Sequence, residues 1–145
     1  FFTGFTRIAS NVAAEQIRET SNKRRELTML LQLVDEAANV LTGRADNFRE
    51  FGKLLHESWQ IKKGLTKQIT NSTLDEIYNC ALDAGAVGGK LLGAGGGGFM
   101  LFYVEESHRK KLIEKLKALL CVPFSFEHLG SQIIYYSPHG GWEET

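Results

Sequence analysis

The sequence predicts an α+β fold in which helices pack on one face of a mainly antiparallel sheet. Three observations carry this. Apolar residues recur at helical spacing across Leu27–Leu41. Phe99-Met100-Leu101-Phe102-Tyr103-Val104 is an unbroken apolar run of strand length. The remainder of the chain then reads as a helix followed by two short strands, Pro123–Glu127 and Ser131–Ser137, parted by a turn near Gly130.

Taken in order, Phe1–Ile8 mixes aromatic and β-branched residues and is expected to be a strand. Ser10 is expected to cap a helix over Asn11–Thr20. In the second helix Leu27, Leu30, Leu31, Val34, Ala38 and Leu41 form the apolar stripe, and Gly43 stands where a C-terminal cap belongs. A third helix is expected from Ala45 to about Lys63, with Phe48, Phe51, Leu55 and Trp59 on one face and Gly64 ending it. Thr66–Asn71 reads as a loop. Thr73-Leu74-Asp75-Glu76 fits a capping box opening a fourth helix, whose buried face is Leu74, Ile77, Tyr78 and Ala81. Ser107 is expected to cap a helix to about Leu120, with Leu112, Leu116 and Leu119 turned inward. Residues 1–137 read as one domain, and Pro138–Thr145 as a mobile tail.

The 145 residues suit a single domain, and the 43% apolar and 23% charged fractions are those of a water-soluble globular chain. Seventeen basic residues balance seventeen acidic ones, which argues against a nucleic-acid or anionic-membrane partner. No apolar run approaches the roughly 20 residues needed to span a bilayer, and no signal segment is visible. Cys80 and Cys121 lack metal-ligand spacing and sit among apolar residues, as buried thiols in a reducing cytoplasm would. The chain begins with Phe1 rather than Met, in what reads as a strand already under way, so it is expected to be a fragment of a longer protein.

Eight of the fifteen glycines lie between Gly85 and Gly98, which concentrates conformational freedom in one place. Glycine lets backbone N–H groups converge into a nest that holds an anion, and each glycine costs folding entropy, so four in a row demand a reason. Gly93-Ala94-Gly95-Gly96-Gly97-Gly98 matches the letters of the dinucleotide pattern G-x-G-x-x-G. That pattern follows a strand and opens a helix, whereas this one is expected to follow a helix and open a strand. The Gly-Lys-Ser/Thr ending of a Walker loop is also missing. A tight helix-to-strand turn is the plain alternative. Lys90, three residues before Gly93, reaches toward a phosphate or toward solvent.

Residues 85–99, Gly-Ala-Val-Gly-Gly-Lys-Leu-Leu-Gly-Ala-Gly-Gly-Gly-Gly-Phe, resemble the third motif of the GHMP kinases, the galactose, homoserine, mevalonate and phosphomevalonate kinases and their relatives. Thr3-Gly4-Phe5-Thr6-Arg7-Ile8-Ala9-Ser10 and His56-Glu57-Ser58-Trp59 with Lys62-Lys63 resemble the subgroup acting on D-glycero-D-manno-heptose 7-phosphate. Fucose kinases share much of the pattern. The resemblance covers nearly all of the chain to about Ser137. It implies a ferredoxin-like C-terminal domain of a cytoplasmic kinase that uses ATP and Mg²⁺ on a sugar-phosphate substrate. The Ser-rich ATP loop, the acidic metal ligand and the catalytic aspartate of that family belong to an N-terminal half. No catalytic or metal-binding residue is therefore expected here, and the N-terminal half of the same kinase is the implied partner.

On that reading Gly93, Gly95, Gly96, Gly97, Gly98 and Lys90 lie near the ATP phosphates, the loop either donating N–H groups or bracing the ATP loop. Arg7 offers a planar fork for a phosphate or sugar hydroxyls, against a surface ion pair. Thr3 and Gly4 are lesser substrate candidates on the same segment. Trp59 would stack on a sugar and Lys62 and Lys63 would meet the 7-phosphate, against a core tryptophan and lysines that complement a helix dipole. His56 lacks the partner of a general base. Arg109, Lys110, Lys111, Lys115 and Lys117 read as a solvated helix face, and Asp35 and Glu36 lack a further carboxylate to complete a metal site. From another class, a small-anion-binding α+β module without catalysis fits the same loop. The coding sequence upstream of Phe1 separates the two: a Ser-rich phosphate loop supports the kinase, and an adjacent start codon the module.

Overall fold

The computed structural model describes residues 1–5, 9–43, 48–134 and 136. Among the described residues five helices and two strands follow in the order α1 (Ala9–Glu19), α2 (Arg24–Thr42), α3 (Phe48–Lys63), α4 (Ser72–Asp83), β1 (Ala86–Leu91), β2 (Met100–Val104) and α5 (Glu106–Lys115). A single 3₁₀ turn, Thr20–Lys23, joins α1 to α2. The class is α+β, as the sequence predicts.

The sheet pairs β1 with β2 antiparallel, Leu91 opposite Met100 and Gly89 opposite Phe102, with a bulge between Ala86 and Gly88. The N-terminal residues widen it: Phe2 bridges Phe99 on one side and Leu120 on the other. α3 packs on β1 and β2, α4 on β1, and α5 on β2 and α4, while α2 lies against α3. The approach of α3 to β1 depends on missing side chains. A Cβ on Gly52 would stand 2.6 Å from the Tyr103 ring, and one on Gly88 would run into the Gly52 carbonyl and stand 2.8 Å from the His56 Cβ.

Two apolar clusters form the core. Val12, Trp59, Ile69, Leu74, Tyr78, Leu91 and Met100 make the larger. Ala81, Ala84, Ala86, Leu112 and Leu116 make the smaller, between α4, β1 and α5. Tyr78 is the hinge of an aromatic chain, its ring centroid 6.1 Å from Trp59, 5.8 Å from Phe102 and 5.9 Å from His56.

Several expectations are corrected. β1 lies where the sequence suggested only a glycine-rich connection, so Gly93–Gly98 joins two strands rather than a helix and a strand. α4 is capped by Asn71, whose side-chain oxygen accepts from the Leu74 N–H at 2.9 Å, and not by Thr73. α5 ends at Lys115, and its N-cap, Glu105, makes no side-chain capping bond, so Ser107 is not the cap. Among the described residues Pro123–Glu127 and Ser131–Ile134 form no strand. The sheet edge they would extend meets Phe2 at Leu120 and stops, leaving Phe126 and Ile133 each 82% exposed.

α2 buries Leu33, a residue outside the expected stripe, while Leu31, Val34 and Leu41 stay more than half exposed, since α2 packs mainly against α3. Cys121 is exposed, not buried, since the chain leaves the core after Leu116. The expected strand Phe1–Ile8 is reduced to the Phe2 bridges, and its last three residues, like the N-terminal end of the third helix before Phe48 and the expected tail Pro138–Thr145, lie outside the described residues. Among the described residues no helix is long and apolar enough to cross a membrane.

Candidate functional site

Gly93–Gly98 turns the chain from β1 back into β2, closed at its base by Leu92 N–H donating to the Phe99 carbonyl at 2.8 Å. The turn does not stand free. Gly96 N–H donates to the Ile69 carbonyl (2.8 Å) and Gly98 N–H to that of Phe5 (2.9 Å). Its carbonyls are held as well: Gly98 by both the N–H and the hydroxyl of Thr3, each at 2.9 Å, Ala94 by the Gln16 amide (2.8 Å), and Gly93 by the Lys62 ammonium (2.5 Å). Segments from four other parts of the chain thus converge on one loop.

This packing, more than flexibility, explains the glycines. Gly95 has φ +126°, where L side chains are strained, and a Cβ there would lie 2.9 Å from the Ile69 Cα. At Gly97 a Cβ would lie 2.7 Å from the Phe5 carbonyl oxygen. With Gly96 and Gly98 already donating inside the protein, the loop is not an open ring of amide donors in the manner of a P-loop nest.

Positive charge gathers beside it. Ser58 and Lys62 are four residues apart on α3 and share a face. Lys90 crosses from β1 to place its ammonium 3.4 Å from the Ser58 hydroxyl. Among the described residues neither Lys62 nor Lys90 has a carboxylate partner within ion-pair distance. Burial pushes the Lys62 ammonium below its ordinary pKa, and the Lys90 charge pushes the same way. Ser58 and Lys90 also form the polar end of a cleft between α2 and α3, walled by Leu33, Ala37, Leu54 and Leu55 among others.

The structure separates the remaining candidates. Trp59 is 0% exposed and belongs to the core, so it has no face to stack on a sugar. Lys63 pairs with Asp75 (3.3 Å) and lies over the Trp59 and Tyr78 rings at 5.9 and 6.0 Å, a packing role away from Lys62. Thr3 is buried with its hydroxyl committed to Gly98, which makes it a brace of the loop rather than a substrate ligand. Gly4 is exposed, with φ +79° and open space around it. Arg7 lies outside the described residues. Gln16 and Ser58 were not singled out from sequence. Ser58 carried a usable signal, its four-residue spacing from Lys62, while Gln16 reaches the loop across 78 residues and had none.

His56, expected to have no partner, has its Nδ1 2.8 Å from the Tyr78 hydroxyl in a partly buried pair. Burial raises the Tyr78 phenol to about 12, with the Gly89 backbone opposing the shift. Arg109, Lys110, Lys111, Lys115 and Lys117 are exposed on and just after α5. Among the described residues no three metal-ligating side chains cluster.

Fold and site together define a small α+β domain with a braced glycine turn beside two ammonium groups that have no carboxylate partner among the described residues. The chain belongs to the GHMP kinase C-terminal family: the family profile described as "GHMP kinases C terminal" matches residues 35–120. D-glycero-alpha-D-manno-heptose 7-phosphate kinase of Campylobacter jejuni is 33% identical over 81% of this chain and 34% of its own length. The L-fucokinase/L-fucose-1-P guanylyltransferase of Bacteroides fragilis is 27% identical over 80% of this chain and 12% of its own. The crystal structure of L. major mevalonate kinase in complex with R-mevalonate superposes with a TM-score of 0.66 at 20% identity, covering 81% of this chain and 36% of that one. This chain therefore spans about a third of the length of the heptose phosphate kinase it matches.

Proposed function

We propose that this chain is the C-terminal domain of a cytoplasmic sugar kinase. In the complete enzyme the γ-phosphoryl group of ATP passes to the anomeric hydroxyl of D-glycero-D-manno-heptose 7-phosphate. The observation that carries this reading is the braced turn Gly93–Gly98 beside two lysines without counter-charges among the described residues. The 33% identity to the Campylobacter enzyme supports the choice of sugar.

Phosphoryl transfer asks a protein chiefly for positioning and for neutralisation of spreading negative charge. The residues present fit a phosphate group: Lys62 and Lys90 have no carboxylate partner among the described residues, and the turn beside them is braced by several hydrogen bonds. They do not fit Mg²⁺, because the described residues offer no carboxylate cluster. On the family resemblance, an N-terminal half of the kinase supplies the metal ligands, the Ser-rich ATP loop and the catalytic aspartate. Mg²⁺, when bound there, neutralises phosphate oxygens. This domain's contribution is to fix the glycine turn as one wall of the transfer site and to offer Lys62 and Lys90 to a phosphate group of the bound substrates.

The test is ATP-dependent turnover of heptose 7-phosphate, fucose and galactose by the complete protein. The heptose phosphate is expected to give the highest kcat/KM, and the 145-residue chain alone to give none. A higher kcat/KM with fucose or galactose refutes the substrate assignment in favour of a kinase like the Bacteroides relative, and turnover by the isolated chain refutes the division of labour.

A further inference from the structure

We propose that Lys62, Lys90 and Ser58 form the subsite for the phosphate that the sugar substrate already carries, the group that is not transferred. The inference rests on the sugar-phosphate kinase reading above for its ligand, and on the site's geometry for its place. Ser58 and Lys62 project from one face of α3, and Lys90 meets them from β1 across the α3–β1 contact that Gly52 and Gly88 permit. Two elements, α3 and β1, thus bring two ammonium groups that feel each other's charge, and a hydroxyl, to the same side of the α3–β1 contact.

Donors remain to be used there. Each ammonium has three N–H donors, and the structure gives each one partner: the Gly93 carbonyl for Lys62 and the Ser58 hydroxyl for Lys90. Two like charges held together, one of them partly buried, disfavour each other until an anion arrives. A phosphomonoester near neutral pH carries between one and two negative charges, which matches the pair. The triphosphate of ATP is the other anion at hand. On the family resemblance it has its own loop in the other half of the kinase, whereas a substrate that enters already phosphorylated needs a second anion site. The Gly93 carbonyl ties this subsite to the glycine turn.

The experiment uses the 145-residue chain with mannose 6-phosphate, unphosphorylated mannose and metal-free ATP as probes, read by calorimetry. NMR of ¹³Cε-labelled lysine follows the titration of Lys62. The unaltered chain is expected to bind mannose 6-phosphate more tightly than mannose, with the Lys62 pKa rising on binding. Lys62→Gln and Lys90→Gln should each weaken mannose 6-phosphate at least tenfold, Lys62→Arg should recover part of that, and Lys63→Gln should change it less than twofold. The proposal is overturned if the unaltered chain does not distinguish mannose 6-phosphate from mannose. It is equally overturned if the folded Lys90→Gln chain binds the monoester unchanged, or if both variants lose ATP while keeping the monoester. In the complete kinase the two variants should raise KM for heptose 7-phosphate and leave KM for ATP. Normal turnover with an unchanged sugar-phosphate KM sinks the subsite and spares the kinase reading. Absence of turnover by the unaltered enzyme does the reverse, since the binding result stands on its own.

Discussion

Replacing Gly95 with alanine tests the claim that the glycine turn is defined by what packs on it. Gly95 has φ +126° and its missing Cβ faces the Ile69 Cα at 2.9 Å. Holding an L residue at such a backbone angle costs about 1–3 kcal/mol. The clash is with a backbone atom, which no rotamer change relieves, so the turn and residue 69 must part. Parting them strains the bond from Gly96 N–H to the Ile69 carbonyl (2.8 Å), worth about 1 kcal/mol net. The alanine recovers roughly 0.4–1 kcal/mol by restricting the unfolded chain. The balance is a loss of about 2–3 kcal/mol, which a urea titration reads as a fall of roughly 1 M or more in the midpoint. Gly93→Ala is the matched control: φ there is +76°, but a Cβ would meet nothing within 4 Å. Its cost should be backbone strain alone, about 1 kcal/mol after the same entropic offset. If the two alanine variants unfold at the same urea concentration, the packing argument is wrong and the run of glycines needs another cause.

Two further outcomes follow from other parts of the fold. Tyr78 has its pKa raised from 10 to about 12, so its contribution is fully present below pH 10 and is lost as pH rises from 10 through 12. The midpoint difference between the unaltered chain and Tyr78→Phe should therefore shrink over that window, by an amount on the order of 2–3 kcal/mol; a difference independent of pH would contradict a buried neutral phenol. Asn71→Ala removes the observed cap of α4 and should cost about 1 kcal/mol, whereas Thr73→Ala, the cap expected from sequence, should cost less than about 0.5 kcal/mol. The reverse order in thermal or urea unfolding would restore the capping-box assignment.

Helix positions were legible from apolar spacing, and in α4 and α5 so was the buried face: Leu74, Ile77, Tyr78 and Ala81 face the core as their period demands, and so do Leu112 and Leu116, whereas α2 buries Leu33 and leaves most of its expected stripe exposed. β1 was not legible, and the reason is physical. Gly88 and Gly89 erase the strand signal because α3 and the Phe102 ring occupy the space their side chains would fill. A strand that must admit a helix at such close range cannot advertise itself with valine and isoleucine. The terminal segments show the opposite failure: Pro123–Glu127 has strand-like residues, but strand formation needs an available edge, which composition does not reveal. In the site, Lys62 and Lys90 were both visible as candidates, and the sequence offered no means of separating Lys62 from its neighbour Lys63. Only the fold does that, by giving Lys63 a carboxylate and two aromatic rings, and Lys62 a carbonyl and a second lysine.

The glycine turn is held by residues far away along the chain: Thr3 lies 95 positions from Gly98, Gln16 lies 78 from Ala94, and Lys62 lies 31 from Gly93. Contacts of such separation close late, after the segments between them have found their places. The turn is then among the last features to form as the domain folds. Until it does, the chain carries its lysines without the geometry that would let them hold an anion together. If Lys62 and Lys90 hold a phosphate as proposed, a nascent or partly unfolded domain does not bind it, and recognition begins only once the first residues of the chain have been stitched to the turn that opens β2.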